Sequence, residues 1–146
     1  MKNALRRIKS APDVVEVGQT DLVIEAATEN EEIKYKIFEG LVPHLKPDTI
    51  LTSNTSSISI TRLASRTDRP EKFMGFHFMN PVPLMKLVEL IRGIATDHDT
   101  YQTCLAIVNA LAKTAGSPED FQASTVHRIQ IPTTHDGGCT LHSGGG

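Results

Sequence analysis

The fold is decided by the run Asp21-Leu-Val-Ile-Glu-Ala-Ala27, a short apolar stretch with β-branched residues at its centre. Such a run predicts a strand that is buried in a parallel sheet. From Glu31 the hydrophobic period changes to that of a helix, and Thr28 and Glu31 stand at capping-box spacing. The predicted inner face of this helix consists of Ile33, Ile37, Phe38, Leu41 and Leu45.

The same alternation of strands and helices continues along the chain. The pattern predicts strands over 49–53, 72–78 and 86–91, and a brief helix over 60–65. Two prolines between Asn80 and Pro83 exclude a helix there, so we expect a turn. Asp99 and Gln102 are predicted to cap a last helix. Together these elements predict the α/β class with a largely parallel sheet.

The composition of the 146 residues excludes several classes of protein. Fifteen Lys and Arg against seventeen Asp and Glu give a net charge of −2, without the basic excess that nucleic-acid binding requires. No apolar run approaches the roughly 18 residues of a membrane span, and the basic N-terminus lacks the apolar stretch of a signal peptide. Two cysteines are too few for a disulfide scaffold. We therefore expect a cytoplasmic protein without nucleic-acid or membrane partners.

The last thirty residues differ from the rest of the chain. Residues 117–146 contain seven residues of the hydrophobic set and five of the ten glycines. A segment this poor in apolar side chains does not offset the entropy of ordering it, so we expect it to be poorly ordered. The sequence thus predicts a folded part over 1–116 and a separate tail over 117–146.

Polar residues follow three of the predicted strands, at the point where each strand ends. These clusters are Glu25–Asn30, Ser53–Ser57 and His77–Pro81. In open α/β sheets, ligands bind outside the carboxyl ends of the strands. The three clusters therefore predict one site at one edge of the sheet.

His77 is the only ionisable side chain in the run 73–78 and could exchange a proton near neutral pH. A partly buried histidine bonded to the backbone is the alternative. Glu89 lies twelve residues further on, within an apolar strand, and a turn at Asn80–Pro83 would bring the two strands side by side. Glu89 could then accept from one ring nitrogen and orient the other. The alternative for Glu89 is an exposed strand face.

Ser56 and Ser57 could hydrogen-bond a substrate hydroxyl or carbonyl, although capping the helix that begins at Ile60 is nearly as good an interpretation. His135, Cys139 and His142 stand close together in the tail, with His127 more distant. Zinc sites use such residues, but the spacing provides no closed set of four ligands. We expect no metal.

The three clusters, together with the continuous stretch Gly75–Gly93, resemble 3-hydroxyacyl-CoA dehydrogenases, most closely the bacterial 3-hydroxybutyryl-CoA dehydrogenases. The resemblance covers about residues 1–116. It implies a Rossmann-like NAD-binding domain, with NAD as the cofactor and an acyl-CoA as the substrate. It also implies oxidation of the substrate's 3-hydroxyl group, or the reverse reduction, in fatty-acid or butanoate metabolism.

The resemblance also implies roles for single residues. His77 matches the catalytic base, Glu89 its partner carboxylate, and Ser56 the serine that bonds the substrate oxygen. Asn80 matches the asparagine beside substrate and nicotinamide. Further matches are Glu29 and Lys34, at positions that line the cofactor and CoA region, and His127, where similar enzymes have a substrate-contacting asparagine.

The sequence departs from this family in two places. Similar enzymes begin with a β-α-β unit that carries a Gly-rich phosphate loop, whereas Gly18 is the only glycine before Glu25. We therefore expect the C-terminal part of the Rossmann-like domain, with 117–146 as a degenerate start of the helical domain. The resemblance implies that this helical domain forms the family's usual homodimer, and we expect it to be missing here. The alternative function is a catalytically inactive fragment that acts at most as a binding or interaction module.

Overall fold

The computed structural model describes residues 6–117, which form a five-stranded sheet in the order β1-β2-β3-β4-β5. β1, β2 and β3 are parallel, β4 is antiparallel to β3, and β5 is parallel to β4. The predicted α/β class with a mostly parallel sheet is confirmed. The strands are β1 (Leu22–Glu25), β2 (Ile50–Ser53), β3 (Phe73–Phe78), β4 (Leu87–Arg92) and β5 (Thr114–Gly116).

Three α-helices connect the strands: α1 (Glu31–Leu41), α2 (Ile60–Ala64) and α3 (His98–Ala110). Short 3₁₀ turns lie at Val14–Val17, Val42–His44 and Pro70–Lys72. Within residues 6–117, no helix has both the length and the apolar character that crossing a membrane demands.

The sheet is packed on both faces. Helix α3 covers one face through Cys104 and Val108, which pack on Met74, Phe76 and other residues of β3 and β4. Burial raises the pKa of the Cys104 thiol to about 12. Helices α1 and α2 cover the other face with a larger cluster, whose buried members are Tyr35, Phe38, Leu41, Leu45, Leu51, Ile60, Leu63, Ala64, Phe73 and Ile91.

Strand β1 forms one edge of the sheet, and no strand of residues 6–117 pairs with its outer side. A groove of about 460 Å³ runs along this edge, lined by apolar residues that include Val14 and Ile24. An open edge strand offers unpaired backbone groups to another chain segment.

The helix boundaries differ from those that the caps predicted. Asn30, and not Thr28, is the N-cap of α1, because its side chain accepts from the Ile33 N–H at 3.1 Å. Asp97, and not Asp99, caps α3, which begins at His98. Both regions contain several side chains that can cap a helix, so spacing alone does not select among them.

The inner face of α1 is also rotated relative to the prediction. Ile33 is 47% exposed, whereas the neighbouring Lys34 is completely buried. Two short elements, β5 and the turn at Val14–Val17, had no sequence signal that distinguished them from loop. The predictions for 117–146 fall outside the described residues apart from Ser117.

Candidate active site

The carboxyl ends of β1, β2 and β3 lie at one edge of the sheet, because the three strands are parallel and adjacent. Where β3 pairs with β4, the His77 Nδ1 atom lies 2.9 Å from Glu89 Oε2. His77 is 8% exposed and Glu89 2% exposed, so the carboxylate is buried and not on an exposed strand face. The contact that the sequence predicted between these side chains is present.

The antiparallel pairing of β3 and β4 produces this contact. His77 and Glu89 are register partners on neighbouring strands, so both side chains project from the same face of the sheet. The chain reverses between the strands at the predicted turn, where the bond from Asn80 to Pro81 is cis. Asn80 is exposed in this turn, directly after β3.

A second group of polar residues surrounds the Glu29 carboxylate. Five donors from three consecutive residues lie within 3.2 Å of Glu29 Oε1: the Thr55 hydroxyl, and both the backbone N–H and the hydroxyl of Ser56 and of Ser57. Glu29 therefore holds the loop that follows β2. The serines do not cap α2, because Ser59 performs that function by accepting from the Arg62 N–H.

The electrostatics of Glu29 follow from these contacts. Partial burial alone would raise the pKa of Glu29, but the hydrogen bonds from Thr55, Ser57 and Ser56 outweigh it. The pKa of Glu29 is therefore below its usual value, because the donors stabilise the charged form. The Ser56 hydroxyl makes the longest of the five contacts, at 3.2 Å, and is the donor that a ligand would displace most easily.

A third group lies at the end of β1, where Glu25, Lys34 and Ser53 are buried. The Lys34 ammonium pairs with Glu25 Oε2, which also accepts from the Ser53 hydroxyl at 2.8 Å. The other carboxylate oxygen of Glu25 accepts from the Ala27 N–H at 2.7 Å. Lys34, which the resemblance places in the cofactor and CoA region, thus has its ammonium inside the protein, where it also contacts the Asn54 carbonyl at 3.4 Å.

Sequence reasoning did not single out Glu25, Asn54 or Thr55 as individual site residues. Asn54 Oδ1 accepts the Phe78 N–H at 3.0 Å and so connects the end of β2 with the end of β3. Glu25 is the last residue of β1, and Asn54 directly follows β2. Both lie within the predicted polar clusters, and this position at a strand end is the signal that could have identified them. His127 and the histidine and cysteine group of the tail lie outside the described residues. Residues 6–117 contain no group of three or more side chains that could hold a metal ion.

The carboxylate and hydroxyl groups at this edge could hydrogen-bond the ribose of NAD. Glu29 Oε2 makes no hydrogen bond within residues 6–117, so it can accept from a ribose hydroxyl, and the Ser56 hydroxyl can turn toward a ligand. Residues 6–117 do not provide the usual binding features for the pyrophosphate of NAD. Glycines of residues 6–117 never stand at Gly-x-Gly spacing, and α1 has Glu31 and Glu32 in its first turn, where they disfavour a phosphate.

The fold and this edge of the sheet define an α/β domain with a ligand site at the carboxyl ends of its strands. Residues 1–118 match the family of the NAD-binding domain of 3-hydroxyacyl-CoA dehydrogenase. The chain belongs to this family, which confirms the resemblance and identifies NAD as the cofactor of the domain.

Similar proteins agree with this assignment. The chain is 54% identical over 143 residues to a 3-hydroxybutyryl-CoA dehydrogenase of Bradyrhizobium diazoefficiens, covering 98% of this chain and 49% of that protein. The crystal structure of (S)-3-hydroxybutyryl-CoA dehydrogenase from Ralstonia eutropha superposes with a TM-score of 0.94 at 42% identity, covering 98% of this chain and 50% of that one.

A 3-hydroxybutyryl-CoA dehydrogenase of Escherichia coli superposes with a TM-score of 0.91 at 35% identity, covering 96% of this chain and 30% of that one. The chain spans about half the length of the curated 3-hydroxybutyryl-CoA dehydrogenases that it matches.

Proposed function

We propose that this chain carries the acid–base residues of an NAD-dependent 3-hydroxyacyl-CoA dehydrogenase that acts on a short substrate such as 3-hydroxybutyryl-CoA. The observation that supports this most is the buried contact of His77 Nδ1 with Glu89, at 2.9 Å. A histidine oriented by a carboxylate is the usual arrangement of a general base. The names of the similar proteins supply the substrate class.

In this proposal, the carboxylate of Glu89 accepts from Nδ1 of His77 and makes Nε2 the basic nitrogen of the neutral ring. Nε2 takes the proton from the 3-hydroxyl group as the C3–O bond becomes a carbonyl. The chemistry that NAD would supply when bound is acceptance of the hydride from C3. Glu89 then stabilises the imidazolium that has formed, and in the reverse direction His77 returns the proton.

The remaining residues position the substrate in this proposal. The Ser56 hydroxyl leaves Glu29 and donates to the substrate oxygen, which favours the negative charge that develops there. Asn80 contributes a side-chain amide beside substrate and nicotinamide, and His127 occupies the substrate-contacting position of the tail. Acyl-CoA is the partner, and we propose the cytoplasm as the location.

The test measures NADH oxidation that depends on acetoacetyl-CoA by the purified chain. We expect His77→Ala to reduce kcat by roughly 10²–10⁴-fold, the usual contribution of a general acid or base. Glu89→Gln should reduce kcat by roughly ten- to a hundredfold, as for a lost hydrogen bond to a charged group, with KM little changed.

Asp48→Asn is the matched control, because it makes the same change of carboxylate to amide at an exposed pair with Lys72. Exposed ion pairs contribute about 0–1 kcal/mol, so this variant should keep full activity. A chain that unfolds cooperatively but does not oxidise NADH would contradict the proposal and favour the inactive binding or interaction module.

A further inference from the structure

Strand β3 extends further than its neighbour β2 at the site edge. The last register pair of the two strands is Ser53 with Gly75, whereas β3 continues to Phe78. Alternate residues of a strand present their N–H groups to opposite neighbours, so the end of β3 needs an acceptor on the β2 side that β2 itself does not reach. Asn54 provides that acceptor, because its Oδ1 atom receives the Phe78 N–H at 3.0 Å.

Asn54 is itself fixed from two other directions. Its backbone N–H donates to the Glu25 carbonyl at 2.7 Å, which continues the pairing of β2 with β1. Its own carbonyl accepts from the buried Lys34 ammonium at 3.4 Å. The side chain that holds the end of β3 is therefore anchored on β1 and on helix α1.

We infer that Asn54 is a positioning residue, whose carboxamide oxygen sets the place of His77 relative to Ser56. This inference rests on the proposed function. Phe78 directly follows His77, and Ser56 lies two residues after Asn54. The hydrogen bond from Phe78 to Asn54 therefore joins the two segments whose side chains must meet at one substrate oxygen. Without it, the backbone beside His77 loses the support that Asn54 gives it from the β2 side.

Two substitutions distinguish the effect of the carboxamide oxygen from the effect of side-chain size. Asn54→Leu has similar size and no acceptor, whereas Asn54→Asp keeps an acceptor for the Phe78 N–H. In amide hydrogen exchange measured by NMR, Phe78 should exchange about tenfold faster in Asn54→Leu, as for the loss of one typical hydrogen bond. Protection should remain close to the original in Asn54→Asp.

A second readout distinguishes positioning from general stability. The NMR signals of the His77 ring nitrogens should shift in Asn54→Leu and return toward the original in Asn54→Asp. Thr67→Val is the control, because it also removes one side-chain hydrogen bond, from Thr67 to the Ala64 carbonyl, but in a turn of a different segment. It should change neither the exchange of Phe78 nor the signals of His77.

Both readouts are independent of turnover, so an inactive chain would count against the proposed function without deciding the role of Asn54. Unchanged Phe78 exchange in Asn54→Leu would overturn the inference. So would His77 signals that stay unchanged while Phe78 loses protection, since Asn54 would then support the strand without positioning the histidine. If the chain turns over, Asn54→Leu should lower kcat more than it raises KM, and Asn54→Asp should recover part of the loss.

Discussion

Two buried carboxylates at the same edge of the sheet have basic partners but differ in their surroundings. Glu25 binds the Lys34 ammonium, the Ser53 hydroxyl and the Ala27 N–H, so both of its oxygens have partners. Glu89 binds a histidine ring. Lysine side chains ordinarily stay charged near neutral pH, whereas histidine changes its charge there. The comparison predicts that the first pair fixes the structure, whereas the proposed function requires the second pair to exchange a proton.

The largest effect should come from removing the acid of the first pair. Glu25→Ala leaves the Lys34 ammonium buried without its carboxylate, and breaking a buried pair in this way costs about 3–5 kcal/mol. Urea unfolding, followed by circular dichroism at pH 7, measures this change in the free energy of unfolding.

The double variant Glu25→Ala with Lys34→Met is the control for that experiment. Replacing both partners removes the uncompensated charge, so the double variant should be more stable than Glu25→Ala alone. A loss of less than about 1 kcal/mol in the single variant, as for an exposed ion pair, would show that the first pair is not a structural tie.

The second pair should be less sensitive to the same change. Glu89→Ala also removes a buried carboxylate, but it leaves a ring nitrogen of His77 without its hydrogen-bond partner, whereas Glu25→Ala leaves a buried ammonium without its carboxylate. We therefore expect a loss of about 1–3 kcal/mol, the cost of an unsatisfied buried group. The measurement is the same urea titration, and a loss equal to that of Glu25→Ala would remove the distinction between the two pairs.

Much of the fold could be predicted from the sequence, because apolar runs and their periods are local signals. The strands around Leu22, Ile50, Phe73 and Leu87 stand close to their predicted positions. Strand β5 could not be found, since Thr114–Gly116 is only three residues long and is ordered by its pairing with β4. Short elements of this kind depend on tertiary contacts that no local pattern contains.

The site was predictable where one residue type had an obvious partner. His77 is the only ionisable residue of β3 and Glu89 the only acid of β4, and their pairing needs only the turn between them. The burial of Lys34 was not predictable, because a lysine next to Ile33 on a helix is ordinarily expected to face solvent. Its burial depends on the Glu25 carboxylate at the end of a different element. The same holds for Asn54, whose acceptor role exists only because β2 ends before β3.

A third carboxylate, Glu29, sharpens the comparison and should give the smallest effect, because it is more exposed and only neutral donors face it. Its pKa is lowered in the folded protein from an ordinary value of 4.5, so the unfolded chain binds its proton more readily. The stability that Glu29 contributes is therefore fully present above that ordinary value and is lost as the pH falls through the lowered one.

Glu29→Gln should consequently be modestly less stable than the original chain at pH 7, and the difference should shrink below the ordinary value. Urea titrations of both proteins over a series of pH values measure it. A difference that stays constant into the acid range would mean that the charge of Glu29 does not hold the serine loop.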